Sequence, residues 1–161
     1  MIKIQALMKS PIGPLYLVAS ETGLCGVHWT KQPFPMLTTS GEAAKLAPVL
    51  ILRQALRELA EYFAGKRKTF LIPLDFSGTE FQKNVWAQLQ KIPYGQTRSY
   101  KQVARLIRNE KAVRAVGTAN GRNPLSIVIP CHRVIAASGE LGGYGGGCRR
   151  KTMLLDLEKS R

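Results

Sequence analysis

The spacing of apolar residues changes once along this chain, near residue 77, and that change restricts the possible folds more than any other feature. Before it, Met1–Met8 and Pro14–Ala19 are apolar or alternating runs, separated by the turn-forming stretch Ser10-Pro11-Ile12-Gly13. Gly23–Thr30 predicts a third strand, and Gln32–Ser40, with its two prolines, a loop. Between Lys45 and Ala64, the residues Leu52, Leu56, Leu59 and Phe63 recur at spacings of four, three and four. Such spacing lines up one face of a helix. Gly65 ends that helix, and Thr69–Ser77, with Pro73, reads as a connector or edge strand.

Beyond residue 77 helix signals dominate. Thr79 with Gln82, and Ser99 with Gln102, each have the residue types and spacing of a capping box. They predict one helix through about Gln90, with Phe81, Val85, Trp86 and Leu89 as its apolar face, and a second through about Ile107, burying Val103, Leu106 and Ile107. Pro93-Tyr94-Gly95 turns the chain between them. Arg108–Lys111 is a tight connection to a third short helix, Ala112–Asn120, with Val113, Val116 and Ala119 apolar. Gly121–Pro124 stops it, and the apolar run Leu125–Ile129 predicts a short buried strand. The fold class expected is α+β. Residues 1–77 form a small N-terminal α/β lobe with an antiparallel sheet and one helix, and residues 78–161 a mostly helical C-terminal lobe containing a helix-turn-helix.

Charge divides at the same place. The net charge is +14; residues 1–80 hold nine Lys/Arg and six Asp/Glu, whereas residues 81–161 hold fifteen and four. Arg98, Lys101, Arg105, Arg108, Lys111, Arg114 and Arg122 cluster on the paired short helices and their ends. A basic half of this kind points to a polyanion, DNA or RNA before a membrane, although a merely solubilising surface has the same composition. No run approaches the ~18 apolar residues of a membrane helix. Met1–Ser10 lacks the basic, apolar and small-residue order of a secretory leader, so the cytoplasm is the expected location. Three widely spaced cysteines, Cys25, Cys131 and Cys148, make no disulfide framework. Cys25 and His28 supply at most half of a structural zinc set, and the other histidine, His132, stands beside Cys131. No metal is expected, and Cys25 reads as a small buried apolar residue.

The chemistry is concentrated in Pro130-Cys131-His132-Arg133-Val134. A thiolate is the reactive form of cysteine, and nearby positive charge or a base favours it. Adjacency alone slightly favours a buried structural cysteine with a chance neighbour. Consecutive side chains point apart, so Cys131 and His132 are not placed for an ideal direct hydrogen bond, and a bridging water would connect them. Such a histidine needs an orienting acid, and downstream of Glu140 the acids are Asp156 and Glu158.

Taken together, these pieces resemble the O6-alkylguanine-DNA alkyltransferases, also called methylated-DNA–protein-cysteine methyltransferases. The resemblance rests on Ile92-Pro-Tyr-Gly, Ser99-Tyr100, Arg114-Ala-Val-Gly117, Asn123-Pro124, Ile129-Pro-Cys-His-Arg-Val134, Gly142-Gly-Tyr-Gly-Gly146 and Lys151…Leu154-Leu155…Glu158. It covers residues 79–158; the N-terminal lobe matches through Ser10-Pro-x-Gly and its strand-then-helix order. It implies that Cys131 accepts the alkyl group of O6-alkylguanine, with O4-alkylthymine a second candidate, in a reaction that uses the protein up. His132 would be the base, working through a water, with Glu158 orienting it. Asn123 would brace the turn that bears the cysteine, and Tyr100 would protonate the leaving guanine. Arg114 would fill the gap left by a flipped nucleotide, with Lys101, Lys111 and Arg122 on the DNA. Backbone groups of Cys131 and Val134 would read the guanine edge, and Tyr144 and Gly145, the latter standing where many members have serine, would form the far wall.

No cofactor is implied. The partner implied is double-stranded DNA, bound by a monomer with weak sequence preference because phosphate contacts dominate. Other readings account for fewer of these residues. A lesion binder of the same family lacks the cysteine. A helix-turn-helix regulator leaves Pro-Cys-His-Arg-Val and Glu158 unexplained, and a cysteine hydrolase requires a turnover route and a directly paired histidine.

Overall fold

The computed structural model describes residues 2–38 and 40–160. Met1, where the first predicted strand begins, Thr39, inside the predicted loop, and Arg161, the end of the second expected lobe, lie outside the described residues. The chain divides into two compact units, residues 1–76 and 77–161.

In the first unit β1 (Ile4–Ser10), β2 (Gly13–Ala19) and β3 (Leu24–His28) form an antiparallel sheet in that order. The β1–β2 turn closes on the pair Ser10 and Gly13, and Gly13 takes φ +107°, a conformation glycine adopts freely. Helix α1 (Ala47–Phe63) packs on the sheet and buries Leu52, Ala55, Leu59 and Tyr62 against Leu15, Leu17 and Leu24. Leu56, expected on that face, is only half-buried, because the buried stripe runs through Ala55 and Tyr62 instead. The helix also starts later than predicted. Gly41–Lys45 is a separate 3-10 turn, Leu46 is extended, and Pro48 sits in the first turn, where its missing N–H leaves no bond unmade.

The connector after α1 returns to the sheet at one point, a parallel bridge between Leu24 and Leu74. Gly23 is required there, since a Cβ would lie 2.6 Å from the backbone carbon of Leu74. Cys25 is half-buried rather than buried; its thiol donates to the Gly23 carbonyl at 3.6 Å, and Asp75 Oδ2 is 4.0 Å away. No sequence signal marked Gln5, which is fully buried. Its Nε2 donates to the carbonyls of Gln32 and Phe34, and its Oε1 accepts from the Gln32 N–H at 3.0 Å. This amide and the Gln5 backbone, whose N–H donates to the Pro35 carbonyl at 2.9 Å and whose carbonyl accepts from the Leu37 N–H at 2.7 Å, hold the proline-containing loop along β1.

The second unit holds α2 (Glu80–Leu89), β4 (Arg98–Ser99), α3 (Tyr100–Leu106), α4 (Val113–Gly121), β5 (Val134–Ile135) and α5 (Cys148–Lys159). Both capping boxes form, on Thr79 with Gln82 and on Ser99 with Gln102. Helix α4 packs against α2 and α3, and Trp86 donates its indole N–H to the Ala119 carbonyl at 2.9 Å. Between α3 and α4 the chain turns through Arg108, at φ +59°. Two residues assigned to buried faces lie outside: Leu106 and Val113 are exposed, and Ala104 and Asn120 are buried in their place. Each of these helices is so short that a shift of one position moves a residue from the packed to the open side.

The predicted strand at Leu125–Ile129 does not form. The run is a buried turn in which Ile129 N–H reaches back to the Leu125 carbonyl at 2.8 Å and Ile127 adopts φ +75°. It is apolar because it is buried, with Leu125, Ile127 and Ile129 all inaccessible, and burial alone does not specify a strand. The parallel ladder that does form is the two-residue pairing of Arg98 with Val134 and Ser99 with Ile135. It joins the start of α3 to the chain just after Cys131–Arg133, and so assembles the site.

Replacing Gln5 with alanine leaves the Gln32 N–H and the carbonyls of Gln32 and Phe34 without their side-chain partner, while the backbone bonds to Pro35 and Leu37 remain. The expected cost is about 1–3 kcal/mol, read as a lower urea midpoint for the first unit; an unchanged midpoint would mean that the loop holds without this amide.

Candidate active site

Cys131, His132 and Arg133 form a single 3-10 turn between the Leu125–Ile129 turn and β5. Asn123 braces the approach to it. Its Oδ1 accepts from the Leu125 N–H at 2.9 Å and its Nδ2 donates to the Ile129 carbonyl at 2.7 Å, so one side chain closes both ends of the turn that delivers Cys131. Asn120, from α4, donates to the Cys131 carbonyl at 3.3 Å.

Glu158, on the last turn of α5, is the acid that meets the histidine; Asp156 is exposed. Its Oε2 lies 2.7 Å from His132 Nε2. Arg133 grips the same carboxylate in a fork, Nε to Oε1 at 2.8 Å and Nη2 to Oε2 at 3.0 Å, and extends Nη1 to the Ile92 carbonyl at 2.8 Å. Gly95, in the Pro-Tyr-Gly turn, adds its N–H to Oε1 at 3.4 Å. Burial by itself would raise the Glu158 carboxyl, but the hydrogen bonds and charges of His132 and Arg133 outweigh it and hold the group well below the usual carboxylate range. Glu158 is therefore an anion at neutral pH. Burial lowers His132, against the pull of Glu158, so the resting imidazole is neutral. With Nε2–H directed at the carboxylate, Nδ1 is the unprotonated nitrogen; it is buried and has no hydrogen-bond partner within the protein.

Cys131 departs from expectation. Its thiol is pushed up to about 11 by burial, which outweighs the hydrogen bond from Asn123 and the charge of Lys151. The neighbouring basic residues do not make a standing thiolate. The nucleophile rests as a thiol and has to lose its proton when it reacts.

Lys151 stands in the C-terminal motif, and its residue type alone implies no role there. It is fully buried and faces no carboxylate; its ammonium donates to the carbonyls of Val134 at 2.6 Å, Leu141, and Gly143 at 3.3 Å. It ties β5 and the glycine-rich loop to α5. A buried lysine is legible in sequence only through its place on the apolar side of a helix, here between Gly147 and Leu154.

A pocket of about 450 Å³ is lined by Tyr100, Asn120 and Tyr144, and Asn120 links its wall to the Cys131 carbonyl. Tyr100, first residue of α3, and Tyr144 face it, and both hydroxyls are raised by burial first and by Cys131 second, which places the cysteine close to each. Gly142 is required where it stands: φ is +71° and a Cβ would meet the Tyr100 hydroxyl at 2.9 Å. Gly145 is not so constrained, since a Cβ there meets only the Gly121 carbonyl, at 3.9 Å, and the wall is open at that point. Val134 is buried, and its carbonyl accepts from Lys151. Lys101, Lys111, Arg114 and Arg122 are all exposed, on α3, α4 and their ends. Among the described residues no three metal-ligating side chains come together, and no helix is long and apolar enough to cross a membrane.

An α+β chain with a buried cysteine, a carboxylate-anchored histidine and a pocket walled by two tyrosines defines a class of proteins with a cysteine nucleophile. Residues 3–76 match the family model described as "6-O-methylguanine DNA methyltransferase, ribonuclease-like domain", and residues 80–160 the one described as "6-O-methylguanine DNA methyltransferase, DNA binding domain". The chain belongs to this family. It is 46% identical to a methylated-DNA–protein-cysteine methyltransferase of Methanosarcina acetivorans, over 96% of this chain and 97% of the relative. The crystal structure of Mycobacterium tuberculosis O6-methylguanine methyltransferase is similar with a TM-score of 0.86 and 42% identity, over 99% of this chain and 94% of that one. The same TM-score, with 43% identity over 98% and 93% of the chains, relates it to the M. tuberculosis protein in complex with DNA.

Two outcomes check this geometry. Arg133→Leu leaves the buried Glu158 charge without its fork, at an expected cost of about 3–5 kcal/mol in chemical denaturation; a loss below about 1 kcal/mol, the range of an exposed pair, would contradict it. Without DNA, modification of Cys131 by a small alkylating reagent, followed by peptide mapping, should keep rising with pH toward about 11, because a raised pKa leaves little thiolate below it. A plateau near about 8.5, where an ordinary thiol titrates, would mean that burial is not in control.

Proposed function

We propose that this protein reverses O6-alkylguanine damage in DNA by moving the alkyl group irreversibly onto Cys131, once per molecule. The observation that carries the proposal is the turn Cys131–Arg133, locked to Glu158 and bonded through Asn120 to the wall of the tyrosine-lined pocket, in a chain of the methyltransferase family.

His132 takes the thiol proton at Nδ1, through a water, as Sγ attacks the alkyl carbon in line. The Glu158 anion stabilises the imidazolium that results, and Arg133 keeps Glu158 in position without competing for that proton, since its guanidinium stays charged. The carbon–O6 bond breaks, its electron pair remains with guanine, and Tyr100 supplies the proton that makes guanine a better leaving group. Burial raises the Tyr100 hydroxyl, so it carries its proton at neutral pH. The product is a thioether, and none of the groups described around Cys131 is placed to cleave it. Cys131 and Val134 contribute backbone groups to the guanine edge, and Tyr144 and Gly145 the far wall.

Residues 78–161 carry both the chemistry and the DNA contacts, with residues 1–77 as the accompanying lobe. The substrate is a duplex, entered by the α3–α4 helix-turn-helix. The target base leaves the stack at a cost of a few kcal/mol, and Arg114 fills the space it vacates. Lys101, Lys111 and Arg122 contact phosphates, which gives weak sequence preference. The protein acts as a monomer in the cytoplasm and uses no cofactor.

The decisive variant is Cys131→Ser, which should lose transfer and keep DNA binding, because a hydroxyl at neutral pH is a far weaker nucleophile. Near-normal transfer in that variant would sink the assignment. Arg114→Ala separates a base-replacing residue from a phosphate contact. At saturating DNA it should slow transfer from a duplex more than from a single strand, where there is no pair to open; equal slowing on both would leave Arg114 as one more surface charge.

A further inference from the structure

The turn from Ile92 to Gly95 closes on the buried ion pair with three successive contacts. The Ile92 carbonyl accepts from Arg133 Nη1 at 2.8 Å, and the Gly95 N–H donates to Glu158 Oε1 at 3.4 Å. Between them in sequence, Tyr94 lies with its ring against the guanidinium, whose carbon is 5.7 Å from the ring centroid. Arg133 thus commits its N–H edges to Glu158 and Ile92, and the aromatic ring covers a face. A cation over an aromatic ring is attracted by the ring's negative face, the more so out of water, and Arg133 is only 5% exposed. This placement bears on one oxygen. Glu158 Oε2 accepts from Arg133 Nη2 at 3.0 Å and meets His132 Nε2 at 2.7 Å, so guanidinium and imidazole share it.

We propose that Tyr94 is a positioning residue for the transfer, its ring keeping the Arg133 guanidinium seated on the carboxylate oxygen that His132 shares. The inference rests on the reading of His132 as the proton acceptor. The charged groups acting on His132 are Glu158 and Lys151 from α5 and Arg133 from its own turn; Glu158 favours the imidazolium, and Arg133 and Lys151 disfavour it. With the guanidinium on Oε2, part of the carboxylate charge is answered by Arg133, and His132 rests neutral with Nδ1 open for the thiol proton. Without the ring, the guanidinium is free to tilt off Oε2 while Nε stays on Oε1 and Nη1 on the Ile92 carbonyl. Oε2 then turns its charge to His132 alone, and water reaches the vacated space. Both changes favour the imidazolium, so Nδ1 is filled at a higher pH and the thiol loses its acceptor. Through Arg133, Tyr94 sets the pH below which the protein stops reacting.

The test is an imidazole titration followed by NMR in wild type, Tyr94→Phe and Tyr94→Leu, beside the pH dependence of single-turnover transfer from duplex O6-methylguanine. The chain has two histidines, and His28, in the first unit, serves as the internal reference. Tyr94→Phe keeps the aromatic face and should titrate at His132 as wild type does. Tyr94→Leu should raise the His132 midpoint by about 0.5 or more in pH, with His28 unchanged, and the rise of the transfer rate with pH should move upward by the same amount. Tyr94→Met, unbranched and without a ring, gives the same comparison should the leucine variant fold poorly. A His132 midpoint that stays put or falls in the folded ringless variants, or that moves as far in Tyr94→Phe as in Tyr94→Leu, would overturn the proposal. The titration is read without substrate, so it is separate from the alkyl-transfer reading, which fails if wild type takes up no alkyl group at any pH.

Discussion

The site depends on one buried carboxylate. Glu158 receives His132 and the fork of Arg133 at 2.7–3.0 Å, and through Arg133 it is tied to the Ile92 carbonyl. Three parts of the second unit thus meet on one group: the loop after α2, the cysteine turn and the C-terminal helix. A charge taken out of water is costly unless it is fully paired, so the position of α5 and the conformation of the turn are coupled. Arg133 serves two ends at once. It compensates the burial of Glu158, and it leaves the histidine as the partner able to take up a proton.

The same burial governs the proton. The Cys131 thiol, pushed up to about 11, and the Tyr100 hydroxyl, also raised, both keep their hydrogens at neutral pH. His132 is neutral with Nδ1 unprotonated. The resting site therefore holds a protonated nucleophile, an empty base and a protonated acid. That distribution suits a protein that must spare its single-use thiol from small electrophiles and react when a base is delivered into the pocket.

Much of this was legible in sequence, for identifiable reasons. Capping boxes are local, and both predicted helix starts appear where Thr79 and Ser99 place them. The sheet in the first unit follows from alternation and from the Ser-Pro-Ile-Gly turn. Of the candidate site residues, His132, on the turn that begins at Cys131, meets Glu158 at 2.7 Å, and Asn123 closes the turn before it. The failures occur where tertiary context decides. Leu125–Ile129 is apolar like a strand and folds as a turn, because Asn123 satisfies the backbone groups a neighbouring strand would otherwise pair. Leu106 and Val113 sit on helices too short for periodicity to fix a face. The buried polar residues Gln5, Arg133 and Lys151 went unassigned, since a polar letter gives no sign of burial until its partners, distant in sequence, are known. The raised cysteine follows likewise from the depth of the turn and not from its neighbours in the chain.

The central claim is that Cys131 is the sole and final acceptor. The most direct measurement is to incubate excess duplex carrying one labelled O6-methylguanine with a known amount of protein, then to count the label on the protein and locate it by peptide mapping. The account predicts uptake that stops at one label per molecule, all of it on the peptide containing Cys131. Label that is released as the protein turns over repeatedly, or that resides on Cys25 or Cys148, would contradict it.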